Sequence, residues 1–116
     1  MKTVEQYMSM GFDRVTAEYF AAGRRRIINV EPKSDFVLEL MFDNGEHRAY
    51  DCRPLFQANT IFERLCDMSV FSRVYLDDTN CVSWDIDPEV DSTKVWSNKI
   101  DLSSDSCYLD SKPIIQ

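Results

Sequence analysis

The chain has little glycine, little histidine and no long apolar run, and each shortage argues against a class of protein. Three glycines and one histidine among 116 residues provide no glycine-rich phosphate loop, no G-x-S-x-G motif and no recognisably spaced cysteine–histidine pair. No apolar stretch approaches the roughly 20 residues that span a membrane. Residues 1–10 also lack the continuous apolar segment of a signal peptide. We therefore expect a cytoplasmic protein that is not an enzyme.

The cysteines lack the spacing of a metal site. There are four of them, with no C-x-x-C pair, and His47 is the single histidine. Structural zinc sites usually take two ligands that lie close together in the sequence. We interpret the cysteines as small buried hydrophobic residues in a reducing compartment, and we expect no metal and no cofactor.

Positive charge is scarce in the C-terminal part of the chain. Residues 1–73 hold ten Lys/Arg and eleven Asp/Glu, a net charge of −1, whereas residues 74–116 hold three lysines and nine acidic residues, a net charge of −6. Such a surface repels nucleic acid and anionic membranes and attracts basic proteins over about one Debye length. We expect no direct binding to nucleic acid or membrane.

What is present is enough apolar material for one folded domain. Hydrophobic residues make up 44% of the chain and aromatic residues 12%. Residues 1–25 read as an N-terminal helical segment that packs on the core. Thr3 and Asp13 are candidate helix caps and Gly23 a candidate helix end. Val15 and Tyr19 are predicted to share one helix face with Phe20.

From residue 26 to residue 116 the pattern predicts a core domain of antiparallel hairpins. The segment "DFVLELMF" alternates apolar and other residues, and the Asp43-Asn44-Gly45 sequence after it is a strong tight-turn signal. "NTIFERLCD" predicts one short helix. "SRVYLDD" and "CVSWDI" predict a second hairpin that turns at residues 78–80, with an extended segment through Val95, Trp96, Ile100 and Leu102 after it. This order indicates an α+β fold: N-terminal helices, then a mostly antiparallel sheet with one helix packed on it.

The stretch "VSWDIDPEVDS" places a carboxylate at every second position. In a strand, that spacing would put all of these side chains on one face. An EF-hand starting at Asp85 would need glycine where Val90 stands and glutamate where Trp96 stands. The predicted hairpin adds two more acidic residues, and aromatic residues at a charged rim are common interface anchors. The candidate partner-binding residues are Asp77, Asp78, Trp84, Asp85, Asp87, Glu89, Asp91 and Trp96.

The order of these segments resembles a known family. The succession "VEPKSDFVLELMFDNGEHRAYDCRPLF", "FERLCDMSVFSRVYLDD", "VSW" and "KIDLSSDSCYLDS" is similar to the bacterial domain of unknown function 2442 over roughly residues 26–110. The resemblance implies a small α+β domain with a helix packed on a sheet of hairpins, and it implies no catalytic residues. Some members resemble partners in toxin–antitoxin-like pairs and some are fused to helix-turn-helix regions. Here "WDIDPEVDSTKVW" is longer and more acidic than the link in many members.

These observations favour a protein-interaction module over an enzyme. We expect the acidic, tryptophan-flanked face to bind a basic protein partner, such as a toxin or a nucleic-acid-binding effector. In the first case the protein would be an antitoxin, and in the second a mobile-element inhibitor of the anti-CRISPR kind. Three alternatives stay open: an accessory transcription-regulator domain that could form a homodimer through a sheet edge, a metal-dependent or acid–base enzyme, and an acidic stretch that only keeps the domain soluble around two core tryptophans.

Overall fold

A computed structural model of the chain describes residues 2–114. Within this range the chain forms short helices and two antiparallel sheets, so the predicted α+β class is confirmed. The α-helices in the described part are Val4–Ser9 (α1), Arg14–Ala22 (α2), Met68–Phe71 (α3) and Ser104–Leu109 (α4). The strands there are Ile27–Lys33 (β1), Val37–Phe42 (β2), His47–Asp51 (β3), Tyr75–Leu76 (β4), Val82–Asp85 (β5), Lys99–Leu102 (β6) and Lys112–Pro113 (β7).

The N-terminal helices begin and end where their capping residues predict. The side chain of Thr3 accepts a hydrogen bond from the backbone N–H of Gln6, and the Gln6 side chain accepts one from the N–H of Thr3. Asp13 caps α2, and Gly23 ends it with a φ of 100°, a value that glycine tolerates best. Of the residues predicted to share one face of α2, Tyr19 is buried, whereas Val15 is 67% exposed.

One sheet has the strand order β1-β2-β3-β7. Strands β2 and β3 form the predicted hairpin, with Gly45 at a φ of 87° in its turn. The side chains of Leu38, Leu40 and Phe42 alternate along β2 and are fully buried. Period-two alternation therefore predicted the core face of this sheet correctly.

The segment between the two sheets is less regular than predicted. Residues Ile61–Cys66 form a 3-10 helix, and the α-helical turn α3 follows it. Within the segment Leu65 is buried, whereas Ile61 is 46% exposed. The side chain of Thr60 makes no capping hydrogen bond here, so this segment begins without a side-chain cap.

The second sheet has the order β4-β5-β6. Strands β4 and β5 pair through the turn at residues 78–80, as predicted. Three consecutive residues of β5 are fully buried, Val82, Ser83 and Trp84, because the strand lies between its neighbours inside a core shared with the first sheet. The predicted extended segment starts later than expected, because residues 96–98 form a 3-10 helix before β6.

The cysteines divide into two kinds. Cys52 and Cys107 are buried in the core, as interpreted, but Cys66 is exposed and Cys81 half-buried, and all four are free thiols. No helix within residues 2–114 has the length and apolarity to cross a bilayer.

Candidate functional site

The acidic stretch lies in the connection between β5 and β6. Asp85 pairs with Lys99 at the last position of this ladder, and residues 86–98, called the acidic loop below, lead away from the sheet and return. The predicted alternation of carboxylates on one strand face is wrong beyond Asp85, because the strand ends there and a turn contains Pro88. The carboxylates are therefore positioned by turns and not by the pleat.

Asn98 anchors this loop from inside. Its side chain is nearly buried, at 7% exposure of the residue. Its Oδ1 accepts a hydrogen bond from the backbone N–H of Asp87 at 2.9 Å. Its Nδ2 lies 3.0 Å from the carbonyl of Asp87, 3.2 Å from that of Val90 and 3.0 Å from Ser92 Oγ. One amide thus ties both ends and the middle of the loop together, which restricts the loop to a narrow range of conformations.

Two of the carboxylates build the turns of the loop while remaining exposed. Asp87 Oδ1 accepts a hydrogen bond from the N–H of Glu89 at 2.9 Å. Asp91 Oδ1 accepts from Thr93 Oγ1 at 2.6 Å and from its N–H at 2.9 Å. The Thr93 hydroxyl and amide lower the pKa of Asp91 below its usual value. Each carboxylate keeps its second oxygen toward solvent.

Asp85 has a different environment from the other loop carboxylates. It is half-buried and its Oδ1 accepts hydrogen bonds from the hydroxyls of Tyr75 at 2.8 Å and Ser92 at 2.6 Å. Burial, together with the bond to Asp85, raises the pKa of Tyr75 to about 12, so the phenol remains a donor at neutral pH. Asp85 and Tyr75 line an open depression of about 530 Å³, and Glu89 and Asp91 also contribute to its wall.

The two acidic residues of the preceding turn have opposite roles. The Asp77 side chain is 7% exposed and pairs with Lys99. Partial burial would raise the pKa of Asp77, but hydrogen bonds from Lys99, Thr79 and Cys81 outweigh it and hold that pKa well below its usual range. Asp78, in contrast, is exposed and lines a depression together with Thr93 of the acidic loop.

The two tryptophans also differ in their exposure to solvent. Trp84 is fully buried, and its Nε1–H donates to the carbonyl of Phe71 at 2.9 Å, so it presents no surface to a partner. Trp96 is 84% exposed at the end of the acidic loop. The expectation that Trp84 flanks the acidic face is therefore wrong. Trp84 is a core residue that is packed on all sides and whose indole N–H has a hydrogen-bond acceptor.

The structure therefore brings together part of the predicted set. Asp87, Glu89, Asp91 and Trp96 lie exposed on one loop. Asp85 shares a depression with Glu89 and Asp91, and Asp78 shares another with Thr93 of the loop. Asp77 and Trp84 belong to the interior. Sequence reasoning missed Asn98, whose polar surroundings in "VWSNK" resemble an ordinary turn and give no signal of burial. Within residues 2–114, no three His, Cys, Asp or Glu side chains are grouped as metal ligands.

Comparison with known families assigns the chain to a family but gives no activity. The family described as "Protein of unknown function (DUF2442)" matches residues 27–108, so the chain belongs to this family and the resemblance noted from the sequence is confirmed. The match includes the acidic loop and excludes both N-terminal helices. No curated protein matches the chain, and no solved structure does so.

Proposed function

Since membership of the DUF2442 family carries no activity with it, we propose a function from the surface: a non-enzymatic module that binds a basic protein partner through the acidic loop. The observation that carries this proposal is the pairing of Trp96, 84% exposed, with three exposed carboxylates on a loop anchored by Asn98. A large exposed aromatic side chain is costly in water and is a frequent anchor of protein interfaces.

The rigidity of the loop supports binding. Ordering a flexible segment on association costs free energy, and a loop already held in one shape avoids most of that cost. The Asn98 side chain and the turns at Asp87 and Asp91 hold the acidic loop from within. The loop therefore presents its charges in a fixed arrangement before any partner arrives.

The chemistry of the loop supports a basic partner. It carries three carboxylates, at Asp87, Glu89 and Asp91, against one lysine, Lys94. The depression beside it is walled by Asp85 and Glu89. A lysine or arginine side chain of the partner fits this charge, and its aliphatic part would pack on Trp96.

Two kinds of basic partner suit this surface. One is a cognate toxin, which the protein would neutralise as an antitoxin does. The other is a nucleic-acid-binding effector, whose phosphate-binding surface the carboxylates would occupy in competition with DNA, in the manner of an anti-CRISPR inhibitor. Both place the protein in the cytoplasm. In both cases high salt weakens binding, because exposed charges mainly set the encounter rate and the salt dependence.

The test is affinity capture from a lysate of the source cells with the tagged protein and two matched variants. In the first variant the loop is changed by Asp87→Asn, Glu89→Gln, Asp91→Asn and Trp96→Ala. The control variant carries Glu5→Gln, Asp35→Asn and Asp110→Asn, which remove three exposed charges elsewhere.

We expect a basic protein to be captured by the wild type and by the control, and lost with the loop variant. A toxin-sized cognate protein would identify an antitoxin, and a nucleic-acid-binding effector would identify an inhibitor. Equal capture of the same proteins by all three forms would disprove the proposal and leave the acidic loop as a solubilising surface.

A further inference from the structure

A second candidate site lies on another part of the molecule, in a cleft between α2 and α4. The cleft has a volume of about 260 Å³. Helix α2 contributes Val15, Glu18, Tyr19 and Ala22, and α4 contributes Tyr108 and Leu109. Arg48 of β3 and Arg25, which follows α2, complete the wall. The cleft therefore combines apolar side chains and tyrosine rings with two arginines.

Arg25 differs from its neighbours in the chain, Arg24 and Arg26. Arg24 lies 3.4 Å from Asp105 and its guanidinium 5.4 Å from the centre of the Phe20 ring. Arg26 donates two hydrogen bonds to Asn80. The Arg25 side chain is half-buried in the cleft, and within residues 2–114 it makes no hydrogen bond or ion pair. Since a guanidinium carries five N–H donors, the Arg25 side chain can still donate hydrogen bonds to a ligand.

The backbone around Arg25 is held in place. The N–H of Arg25 donates to the hydroxyl of Tyr19 at 3.1 Å, and that hydroxyl donates to Asp105 at 2.6 Å. The ring of Tyr19 packs on that of Tyr108, with 4.9 Å between their centres. The Arg25 side chain thus extends from a fixed point beside two fixed rings, so binding would cost little reorganisation.

The other charges of the cleft are already balanced. Arg48 donates to Ser111 Oγ at 2.7 Å, lies 3.3 Å from Glu46 and stacks over Tyr108 at 4.3 Å. Glu18 also lines the cleft, and its carboxylate lies 3.6 Å from Arg14. Arg25 therefore carries the uncompensated charge, which is positive in a chain of net charge −7.

We propose that this cleft binds a small carboxylate with an apolar body, whose charged end pairs with Arg25 and whose body lies against Val15, Ala22 and Leu109. A planar guanidinium fork matches a carboxylate in two parallel hydrogen bonds. The volume is below the range of about 300–1,000 Å³ that is usual for drug-sized ligands, so the ligand has the size of a monocyclic aromatic acid. Because α2 and Arg25 lie outside residues 27–108, most of the cleft wall lies outside the family match, which contributes Arg48 and Tyr108.

Two-dimensional amide NMR with phenylacetate as the probe tests the proposal on the full chain. Phenylacetamide has the same ring without the charge, and inorganic phosphate has charge without an apolar body. Arg25→Gln removes the proposed contact. Arg73→Gln removes the same charge from an exposed residue that does not line the cleft.

We expect saturable shifts of α2 and α4 amides with phenylacetate at millimolar concentration. Arg25→Gln should weaken its binding at least about tenfold, the loss of one charge-assisted hydrogen bond, while Arg73→Gln and the wild type agree. Phenylacetamide should bind at least about tenfold more weakly than phenylacetate. Undiminished binding by Arg25→Gln, phosphate binding as tight as that of phenylacetate, or no saturable shift with phenylacetate would each overturn the proposal. Its failure is independent of the acidic loop, which neither variant touches.

Discussion

The three-stranded sheet with its β4–β5 turn is one region of the molecule and the acidic loop is another. Each contains one tryptophan and several carboxylates, but these side chains have opposite environments in the two regions. In the first region, Trp84 of β5 is fully buried, and the carboxylate of Asp77, in the turn, receives donors on both oxygens. In the loop, Trp96 is 84% exposed, and Asp87 and Asp91 each keep an oxygen toward solvent. Composition therefore does not distinguish a buried acidic residue with satisfied oxygens from an exposed one; the position of the nearby donors does.

The tryptophan pair gives the largest expected contrast. Trp84→Ala should lower the free energy of unfolding by about 3–5 kcal/mol, since it leaves a large cavity in the core. Trp96→Ala should change it by no more than about 0.5 kcal/mol. Urea unfolding followed by circular dichroism measures both. Equal losses for the two variants would mean that Trp96 also contributes to the packed structure.

The carboxylate pair Asp77 and Asp78 gives the next contrast. Asp77→Asn should cost about 3 kcal/mol, because an amide cannot accept from all the donors around it and leaves Lys99 without its charged partner. Its exposed neighbour serves as the control, and Asp78→Asn should stay within about 0.5 kcal/mol of the wild type. The denaturant midpoints of both variants show whether the stability of the β4–β5 turn depends on Asp77 and not on Asp78.

Lowering the pH should destabilise the protein through Asp77 by less than Asp77→Asn does. A protonated Asp77 keeps two oxygens that can accept hydrogen bonds, whereas asparagine keeps one. The pKa of Asp77 is lower in the folded protein than in the unfolded chain, so unfolding takes up a proton in acid. Its contribution to stability is complete above the unfolded pKa of about 3.9 and is lost as the pH falls through the folded value. Unfolding free energies measured from neutral pH downward should therefore fall less steeply below about pH 4 in Asp77→Asn than in the wild type. Parallel curves would contradict the assignment.

Asn98 lies where the acidic loop returns to the three-stranded sheet. Its replacement should make the loop more mobile without unfolding the sheet. Asn98→Ala removes the acceptor of the Asp87 N–H and should cost about 1–2 kcal/mol. The Asp87 amide should exchange its hydrogen faster, while the amides of β5 keep their protection. Ser97→Ala, at the exposed neighbouring position, is the control. Unchanged exchange at Asp87 would show that the loop is held by its own turns.

The regular elements were predictable, and the roles of the acidic residues were not. Thr3, Asp13 and the Asn44-Gly45 turn act on residues within four positions of themselves, and the alternation along β2 needs no knowledge of the rest of the fold. The role of Asp77 depends on Lys99, which is 22 residues away in the chain. Pairings over such distances are fixed by the tertiary fold, so a sequence pattern alone could not show which carboxylates are satisfied.

The three exposed carboxylates of the acidic loop should contribute almost nothing to the free energy of unfolding. Changing Asp87→Asn, Glu89→Gln and Asp91→Asn together should alter the unfolding free energy by no more than about 0.5 kcal/mol. The side-chain oxygens that accept from Glu89 and Thr93 remain in the amides, so the turns persist while three charges disappear. Urea unfolding beside Asp77→Asn measures this directly. If the triple variant loses as much stability as Asp77→Asn, the loop carboxylates maintain the fold as Asp77 does, and their exposure needs no partner to explain it. If stability is unchanged, three exposed carboxylates are dispensable for the fold, which is what a surface reserved for binding requires.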